Sequence, residues 1–334
     1  MATMQAIQML EFGAPEVLVL RETQRPEPGP GEVLVRLSHS GASFGDTYMR
    51  RGYYAPPHTY ATHLPYIPGI DGYGEVAALG SGVTGWQVGE TVAYCLGHHS
   101  YAQYAKVPAW KLVRAPRNMP PDTAVALMIS GLTAHYLTHT LFPLKDGDWA
   151  LLHAAAGSVG QMMLQMAKRR GARVIATVGT PEKAEIVRGL GADHVVLYRE
   201  EDFLPRVKEI TAGRGVDVAY DSVGLETYRR SMRALRVRGV CALYGAASGI
   251  PDCVRPMEDL AENGSIFVTR SHLAHYMRNA EEIGAAARDL FDYWQDGMDV
   301  AVDRSRDWQL ADAAAVHAAL ENRETTGKIV MRVP

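Results

Sequence analysis

Residues 148–183 read DWALLHAAAGSVGQMMLQMAKRRGARVIATVGTPEK. The apolar run Trp149–Leu152 has the length of a buried strand. Small residues from Ala154 to Gly160 then form a turn, and Gln161–Lys168 carries a helical pattern. A second apolar run, Val174–Val178, ends at Gly179-Thr180. Strand, glycine turn, helix and strand make a βαβ unit. Gly157 and Gly160, with small Ala154–Ala156 before them, let the backbone approach a pyrophosphate closely. The helix N-terminus behind them favours its charge. The spacing AxxGxxG is a loose form of the dinucleotide fingerprint, and glycine turns also occur without a ligand. The strand before, the helix after and the second strand at the right distance are what give it weight.

The end of the second strand is more informative. A site for NADH needs Asp or Glu there to bond the ribose 2′-hydroxyl. This chain has Gly179 and Thr180, then Lys183. The missing acid removes repulsion against a 2′-phosphate, and Lys183 can neutralise it, so NADPH is expected over NADH. The plainer reading of Lys183 is a solvated lysine on a helix.

Outward from this unit the alternation continues. Apolar strand patterns at 194–197, 216–220, 239–244 and 265–269 are separated by helical stretches at 181–190, 200–212 and 225–236. This predicts a doubly wound parallel sheet of Rossmann type. Towards the N-terminus the pattern is all β: short strands at 4–10, 16–23, 33–37, 72–79, 90–96 and 101–107, with proline and glycine turns between them. A barrel-like domain is expected there. The composition shifts at Asn118–Asp122, with Asp122 as candidate N-cap. Beyond 270 come helices at 279–296 and 311–322, a short strand near 299, and an apolar strand Lys328–Val333 that needs a sheet to join. The N-terminal domain is the candidate. The expected fold class is therefore α/β overall, with 1–122 and 272–334 as a barrel-type catalytic domain and 123–271 as the nucleotide-binding domain.

The 334 residues are 47% apolar and 21% charged, ordinary for a globular enzyme of two domains. A net charge of −3 argues against an electrostatic nucleic-acid partner. Three scattered cysteines offer neither a disulfide framework nor a zinc knuckle, and no signal-peptide or membrane-spanning pattern stands out. A cytoplasmic protein with no membrane partner is expected.

Several segments together resemble the zinc-independent quinone oxidoreductases (ζ-crystallin-like) of the medium-chain dehydrogenase/reductase superfamily. They are Gly45–Tyr48 with Arg51–Tyr54, Pro68–Val76, Gly80–Val83, Gly131–Ala134, His153–Gly160, Thr177–Thr180 with Lys183, Tyr198–Asp202 and Tyr220–Gly224. The resemblance covers nearly the whole chain, and HAAAGSVG followed by TVGT and YREED is specific. It implies a GroES-like catalytic domain and a Rossmann domain, and a homodimer joined at strands near 239–269. It places Ala156, Gly157, Ser158 and Val159 under the pyrophosphate. It places the 2′-phosphate among Gly179, Lys183, Tyr198 and Arg323, with Thr180 a further cofactor-binding candidate at the same strand end. Thr133 and the loop from Tyr244 and Gly245 then border the nicotinamide, and Ser222 is a further cofactor-binding candidate.

Zinc alcohol dehydrogenases of this superfamily supply a cysteine near position 43 and a His-Glu pair near position 70. Here Ser43, Ile70 and Asp71 stand there, and the four cysteines of the structural zinc lobe are missing. No metal is expected, and His98-His99 is read as solvated surface. Without a Lewis acid, alcohol oxidation is disfavoured. The compatible chemistry is hydride transfer from NADPH to a quinone or an α,β-unsaturated carbonyl, with a hydrogen-bond donor at the acceptor oxygen. Tyr48 and Tyr54 are the candidate donors. Tyr54 matches a tyrosine donor of related enoyl reductases, while the bland alternative for both is a packed aromatic. Ser43 stands where the family commonly has asparagine and is the third candidate. The stretch 55–67 looks longer than usual and adds His58, Tyr60, His63 and Tyr66 as a pocket roof. The competing readings are an enoyl-thioester or enone reductase, and a non-catalytic NADPH- or RNA-binding member.

Overall fold

The computed structural model describes residues 2–54 and 60–334. His58 lies outside them. The first unit opens with β1 (Thr3–Gln8) paired antiparallel with β2 (Val19–Gln24). The eleven-residue β3 (Glu32–Ala42) is the central strand of a curled antiparallel sheet. It pairs with β4 (Asp71–Leu79) and β6 (Tyr104–Pro108); β5 (Thr91–Cys95) pairs with β4, and β7 (Leu112–Val113) with β5. Alternate residues of β3 (Val33, Val35 and Leu37) are buried with Val76, Val92 and Val107 in one apolar cluster, as the two-residue period of a strand requires. The helix α1 (Phe44–Arg50) follows β3 directly.

A helical run then begins with α2 (Pro121–Ala126), passes through a π segment to α3 (Leu132–Tyr136), and ends in a second π segment at Leu141. Its start differs from expectation. Pro120 is the N-cap and Pro121 the first helical residue, the position where a missing N–H costs nothing. Asp122 sits in the first turn, where it accepts from Thr123 N at 2.7 Å and pairs with Arg304 at 2.9 Å. Contacts divide the chain into Met1–Leu132 with Met277–Pro334, and Thr133–Tyr276. The division comes after the compositional shift because α2 packs on β3 and β4.

The second unit alternates β8 (Trp149–Leu152), α4 (Ser158–Arg169), β9 (Arg173–Val178), α5 (Pro181–Gly189), β10 (His194–Leu197), α6 (Phe203–Ile210), β11 (Val216–Asp221), α7 (Tyr228–Arg233), β12 (Leu235–Leu243) and β13 (Phe267–Arg270). All six strands are parallel, in the order β10-β9-β8-β11-β12-β13. The order reverses between β8 and β11. In an open parallel sheet that switch point is where ligands bind, at the carboxyl ends of the strands.

The chain returns to the first unit with α8 (Ala280–Gln295), capped by Asn279, whose side chain accepts from Glu282 N at 2.9 Å. Ile283, Ala286, Ala287, Leu290 and Phe291 form its buried stripe at helical spacing. Then come α9 (Ala313–Glu321) and β14 (Ile329–Arg332). β14 joins β3 antiparallel, Ile329 opposite Ala42, so the C-terminal strand does complete the first unit's sheet. Near 299 there is only an isolated bridge, Val302 to Lys328.

Candidate active site

The turn after β8 is tied down by buried polar groups. His153 N–H donates to Tyr220 O on β11 at 3.1 Å, and Ala155 N–H to Thr177 O on β9 at 3.2 Å. Ser231 Oγ donates to the buried Asp221 at 2.7 Å and accepts from His153 Nε2 at 3.0 Å. His153 Nδ1 is left to accept from Thr177 Oγ1 at 2.9 Å. Burial pushes the His153 pKa down, which keeps the ring neutral in this tautomer. The His153 imidazole thus joins the end of β8 to β9 and, through Ser231 of α7, to Asp221 at the end of β11. Within the turn Ala154 takes a left-handed φ of 50°, and a Cβ on Gly160 would stand 2.6 Å from Ala154 O and 2.7 Å from Ala155 Cα. Only glycine lets α4 start this close to the strand end. Gly157 is its N-cap, and Ala156, Gly157, Ser158 and Val159 line the turn. The twelve residues of α4 direct their dipole at this turn.

At the end of β9, Thr180 caps α5 and accepts from Lys183 N at 3.4 Å. Tyr198 N–H donates to Val178 O at 3.1 Å, which brings the end of β10 beside Gly179. A Cβ on Gly179 would lie 2.7 Å from Tyr198 Oη. Gly179, Thr180, Lys183 and Tyr198, far apart by residue type and partly by sequence, share one strand end. The switch-point side is equally close. A Cβ on Gly245 would be 2.4 Å from Ser222 O, and Tyr244 N–H donates to Asp221 O at 2.9 Å. So Ser222, Tyr244 and Gly245 also stand together. Thr133 is half-buried on α3, in this same unit. Arg323 belongs to the first unit, half-buried after α9 with a φ of 60°.

In the first unit Ser43 is the N-cap of α1 in a capping box. Its amide and its hydroxyl both donate to Asp46 Oδ2, at 2.9 and 2.8 Å, and Gly69 N–H donates to Asp46 Oδ1 at 3.2 Å. Burial, with Asp71 nearby, pushes Asp46 up from 3.8 to about 6, against the opposing pull of Lys328 and Ser43. The aromatic residues are brought together. Tyr48 is buried and meets half-buried Tyr54 edge-on with ring centroids 6.2 Å apart; Tyr54 meets Tyr60 edge-on at 5.5 Å. Tyr66 is no roof residue. Its backbone exchanges hydrogen bonds with Met9 and its ring is in the core. His98 and His99 are not solvated either. His98 Nδ1 is 2.9 Å from Tyr66 Oη, His99 Nδ1 is 2.9 Å from Ile67 O, and burial lowers His98 to about 4.

Two buried groups went unnoticed in the sequence. Lys328 Nζ lies 2.7 Å from Asp71 Oδ2, both side chains fully buried. Burial pushes the Asp71 carboxyl up, and Lys328 pulls against it. Gly41 leaves it room: a Cβ there would be 2.5 Å from Asp71 Oδ1 and 2.6 Å from Lys328 Cε. Arg50 is the second. It donates to Gly13 O at 2.9 Å and to Glu321 at 2.6 Å, and lies 3.3 Å from His317 Nδ1. Among the described residues no three His, Cys, Asp or Glu side chains gather as metal ligands.

Two family models match the chain. Residues 29–117 match the alcohol dehydrogenase GroES-like domain, and residues 158–291 the zinc-binding dehydrogenase domain. The chain is 42% identical to a 2-haloacrylate reductase from Burkholderia over 96% of both chains. It is 40% identical to a quinone oxidoreductase of Pseudomonas aeruginosa, over 97% of this chain and 98% of that one. The crystal structure of Escherichia coli quinone oxidoreductase complexed with NADPH superposes with a TM-score of 0.93 at 37% identity, covering 99% of this chain and 100% of that one. With the GroES-like sheet, the switch-point sheet and likeness along its full length, the chain belongs to the quinone oxidoreductase family of medium-chain reductases.

Proposed function

We propose that this chain is an NADPH-dependent reductase that delivers a hydride to a quinone or to the β-carbon of an α,β-unsaturated carbonyl. The observation that carries the reading is the end of β9. No carboxylate stands at the strand end itself, and Gly179, Thr180, Lys183 and Tyr198 meet there. The residues fit a dinucleotide: Gly160 lets α4 start directly against the backbone of Ala154 and Ala155, and the first turn of α4 carries its amides to the turn without a bulky side chain at Gly157. The E. coli relative that was crystallised with NADPH supports the same cofactor. NADPH, when bound, supplies the hydride.

The rest is the chain's work. Ala156–Val159 hold the pyrophosphate by backbone groups, and Thr133, Ser222, Tyr244 and Gly245 border the nicotinamide. Arg323 adds a cation for the 2′-phosphate. Charge develops on the acceptor oxygen as the hydride arrives, and Tyr48 or Tyr54 donates a hydrogen bond to it; one proton taken up completes the reduction. At the positions of the zinc ligands Ser43 is spent on Asp46, and Asp71 on Lys328. These side chains offer no N/S ligand set, which favours acceptors already electron-poor. The test is the loss of reduced-nicotinamide absorbance with 1,2-naphthoquinone. Decay with NADPH well above that with NADH is expected, and no acceptor-dependent decay with either would sink the reading. The 2-haloacrylate reductase relative favours a second acceptor class, a small activated acrylate, and 2-chloroacrylate in the same assay tests it.

A homodimer joined through the edge of the second unit's sheet belongs to the same proposal. β13 ends the sheet, with Phe267 62% exposed on it and Val237 64% exposed on the neighbouring strand. Light scattering on a sizing column decides it. A reducing cytosol suits the three unpaired cysteines, two of them buried. Among the described residues no helix is long and apolar enough to cross a membrane.

A further inference from the structure

Arg199 stands at the 2′-phosphate end of the second unit, although the sequence pattern gives it no role. Its position is fixed by backbone. Tyr198 is pinned to Val178, and the chain turns at once: Glu200 and Glu201 N–H both donate to Leu197 O, at 2.8 and 3.0 Å. The consecutive side chains of Tyr198 and Arg199 therefore fold over Gly179. A Cβ on that glycine would lie 2.7 Å from Tyr198 Oη and 3.4 Å from Arg199 Nε. Glycine at 179 thus keeps both groups over the strand end where a ribose 2′-substituent is read.

The guanidinium is also uncommitted. Neighbouring arginines of this unit are paired: Arg188 with Glu185, Arg206 with Glu209 and Arg230 with Asp202. Among the described residues no ion pair or hydrogen bond engages Arg199. Two of the acids after it in the chain are engaged elsewhere. Asp202 caps α6 and pairs with Arg230, and Glu201 acts on Arg206. One group on the same rim opposes an anion. Glu182, in the first turn of α5, accepts a hydrogen bond from the Thr180 hydroxyl. Of the two cations already proposed for the 2′-phosphate, Lys183 and Arg323, only Lys183 belongs to the same unit as that carboxylate.

We propose that Arg199 is a specificity residue for the cofactor: its guanidinium takes the 2′-phosphate of NADPH, offsetting Glu182 and adding a forked donor to Lys183 and Tyr198. A planar guanidinium suits a phosphate because it presents two parallel N–H groups to two oxygens. The inference rests on the NADPH reading. Its test is equilibrium binding: adenosine 2′,5′-bisphosphate against 5′-AMP by calorimetry, and NADPH against NADH by quenching of protein fluorescence. Arg199→Gln is expected to weaken the bisphosphate and NADPH about tenfold or more, the size of a lost charge-assisted hydrogen bond. It should leave 5′-AMP and NADH within about twofold, since those ligands lack the group Arg199 holds. Arg199→Lys should recover part of the loss, and Glu182→Gln should tighten NADPH severalfold; both effects shrink as salt is raised. If the unaltered protein favours NADPH and Arg199→Gln leaves that preference untouched, Arg199 has no such role and the NADPH reading survives. If the unaltered protein binds both pairs equally, the NADPH reading falls and takes this inference with it.

Discussion

The two units keep polar groups in opposite ways. In the second unit the functional groups stand at the open ends of parallel strands, built from small residues and backbone: the turn at Ala154–Gly160, Gly179-Thr180, Ser222 and Gly245. What is buried there either holds those ends, as His153 with Asp221 and Ser231 does through hydrogen bonds, or is a carboxylate paired with arginines that reach solvent, as Asp217 is with Arg214 and Arg236. In the first unit charge itself is buried. Asp71 and Lys328 are fully buried against the sheet, Arg50 of α1 is buried against His317 and half-buried Glu321 of α9, and Asp46 sits close enough to feel Asp71. One unit presents polarity to a ligand. The other spends it on its own interior, where desolvation makes every unpaired charge costly.

Removing one member of the buried pair tests that contrast hardest. Lys328→Met leaves Asp71 as a lone buried carboxylate, and the loss of stability should be about 3–5 kcal/mol by chemical denaturation. Adding Asp71→Leu should return most of it, because replacing both charges by apolar groups removes the desolvation cost together with the attraction. A single variant as stable as the parent would mean that the pair is hydrated and the first unit less dry than its packing indicates.

Asp46 gives the next effect, and it is one of pH. Its carboxyl titrates near 6 in the folded chain against an ordinary 3.8. Folding therefore favours the protonated form. The stability this gives is fully present below about pH 4 and is lost as pH rises through about 6. The loss is on the order of 3 kcal/mol for a shift of this size in a buried group. Asp46→Asn should flatten that slope between pH 4 and 7, so that the variant gains on the parent as pH rises. If the two denaturation profiles run parallel over that range, Asp46 is ionised throughout and its hydrogen bonds from Ser43 and Gly69 outweigh its burial.

These two predictions concern residues that were not legible, and the reason is geometric. The second unit is local in sequence: strand, turn and helix fall within 148–183, and periodicity with glycine spacing shows them. Its six strands lie where the apolar runs predicted them, within a few residues. The pair of Asp71 and Lys328 exists only because β14 closes on β3, beside β4. Nothing near either residue signals a buried partner across the chain. The one clue is Gly41, an otherwise weak choice in a long strand, next to its end at Ala42. His98 and His99 misled for the same reason. Adjacent histidines on a loop look solvated until Tyr66 and Ile67 are seen beside them. Arg199 lay inside a motif already quoted, but only the fold of Tyr198 over Gly179 shows where its side chain goes.

In the second unit the sharpest probe is Gly160. A Cβ there meets the backbone of Ala154 and Ala155 at 2.6 and 2.7 Å, and backbone cannot step aside as a side chain can. Gly160→Ala should cost about 1–3 kcal/mol by overpacking, and it should weaken NADPH binding by moving α4 off the turn. Gly157→Ala is the control, since its Cβ would reach only 3.2 Å from Ala154 O. Equal effects at both positions would mean that the turn yields as a whole and that the close start of α4 is not what shapes the cradle.

The smallest effect decides between two roles for Ser43. As N-cap of α1 its hydroxyl is already engaged with Asp46 at 2.8 Å, so Ser43→Ala should cost about 1 kcal/mol of stability and change turnover little. Asparagine caps a helix as well as serine does, so Ser43→Asn should keep the stability. It therefore separates the helix from the chemistry. If Ser43→Asn is as stable as the parent yet turns over a quinone at a different rate, position 43 touches the cofactor or acceptor. If Ser43→Ala and Ser43→Asn both keep the parent's turnover, position 43 belongs to the buried polar interior of the first unit, and the chemistry rests on Tyr48 and Tyr54.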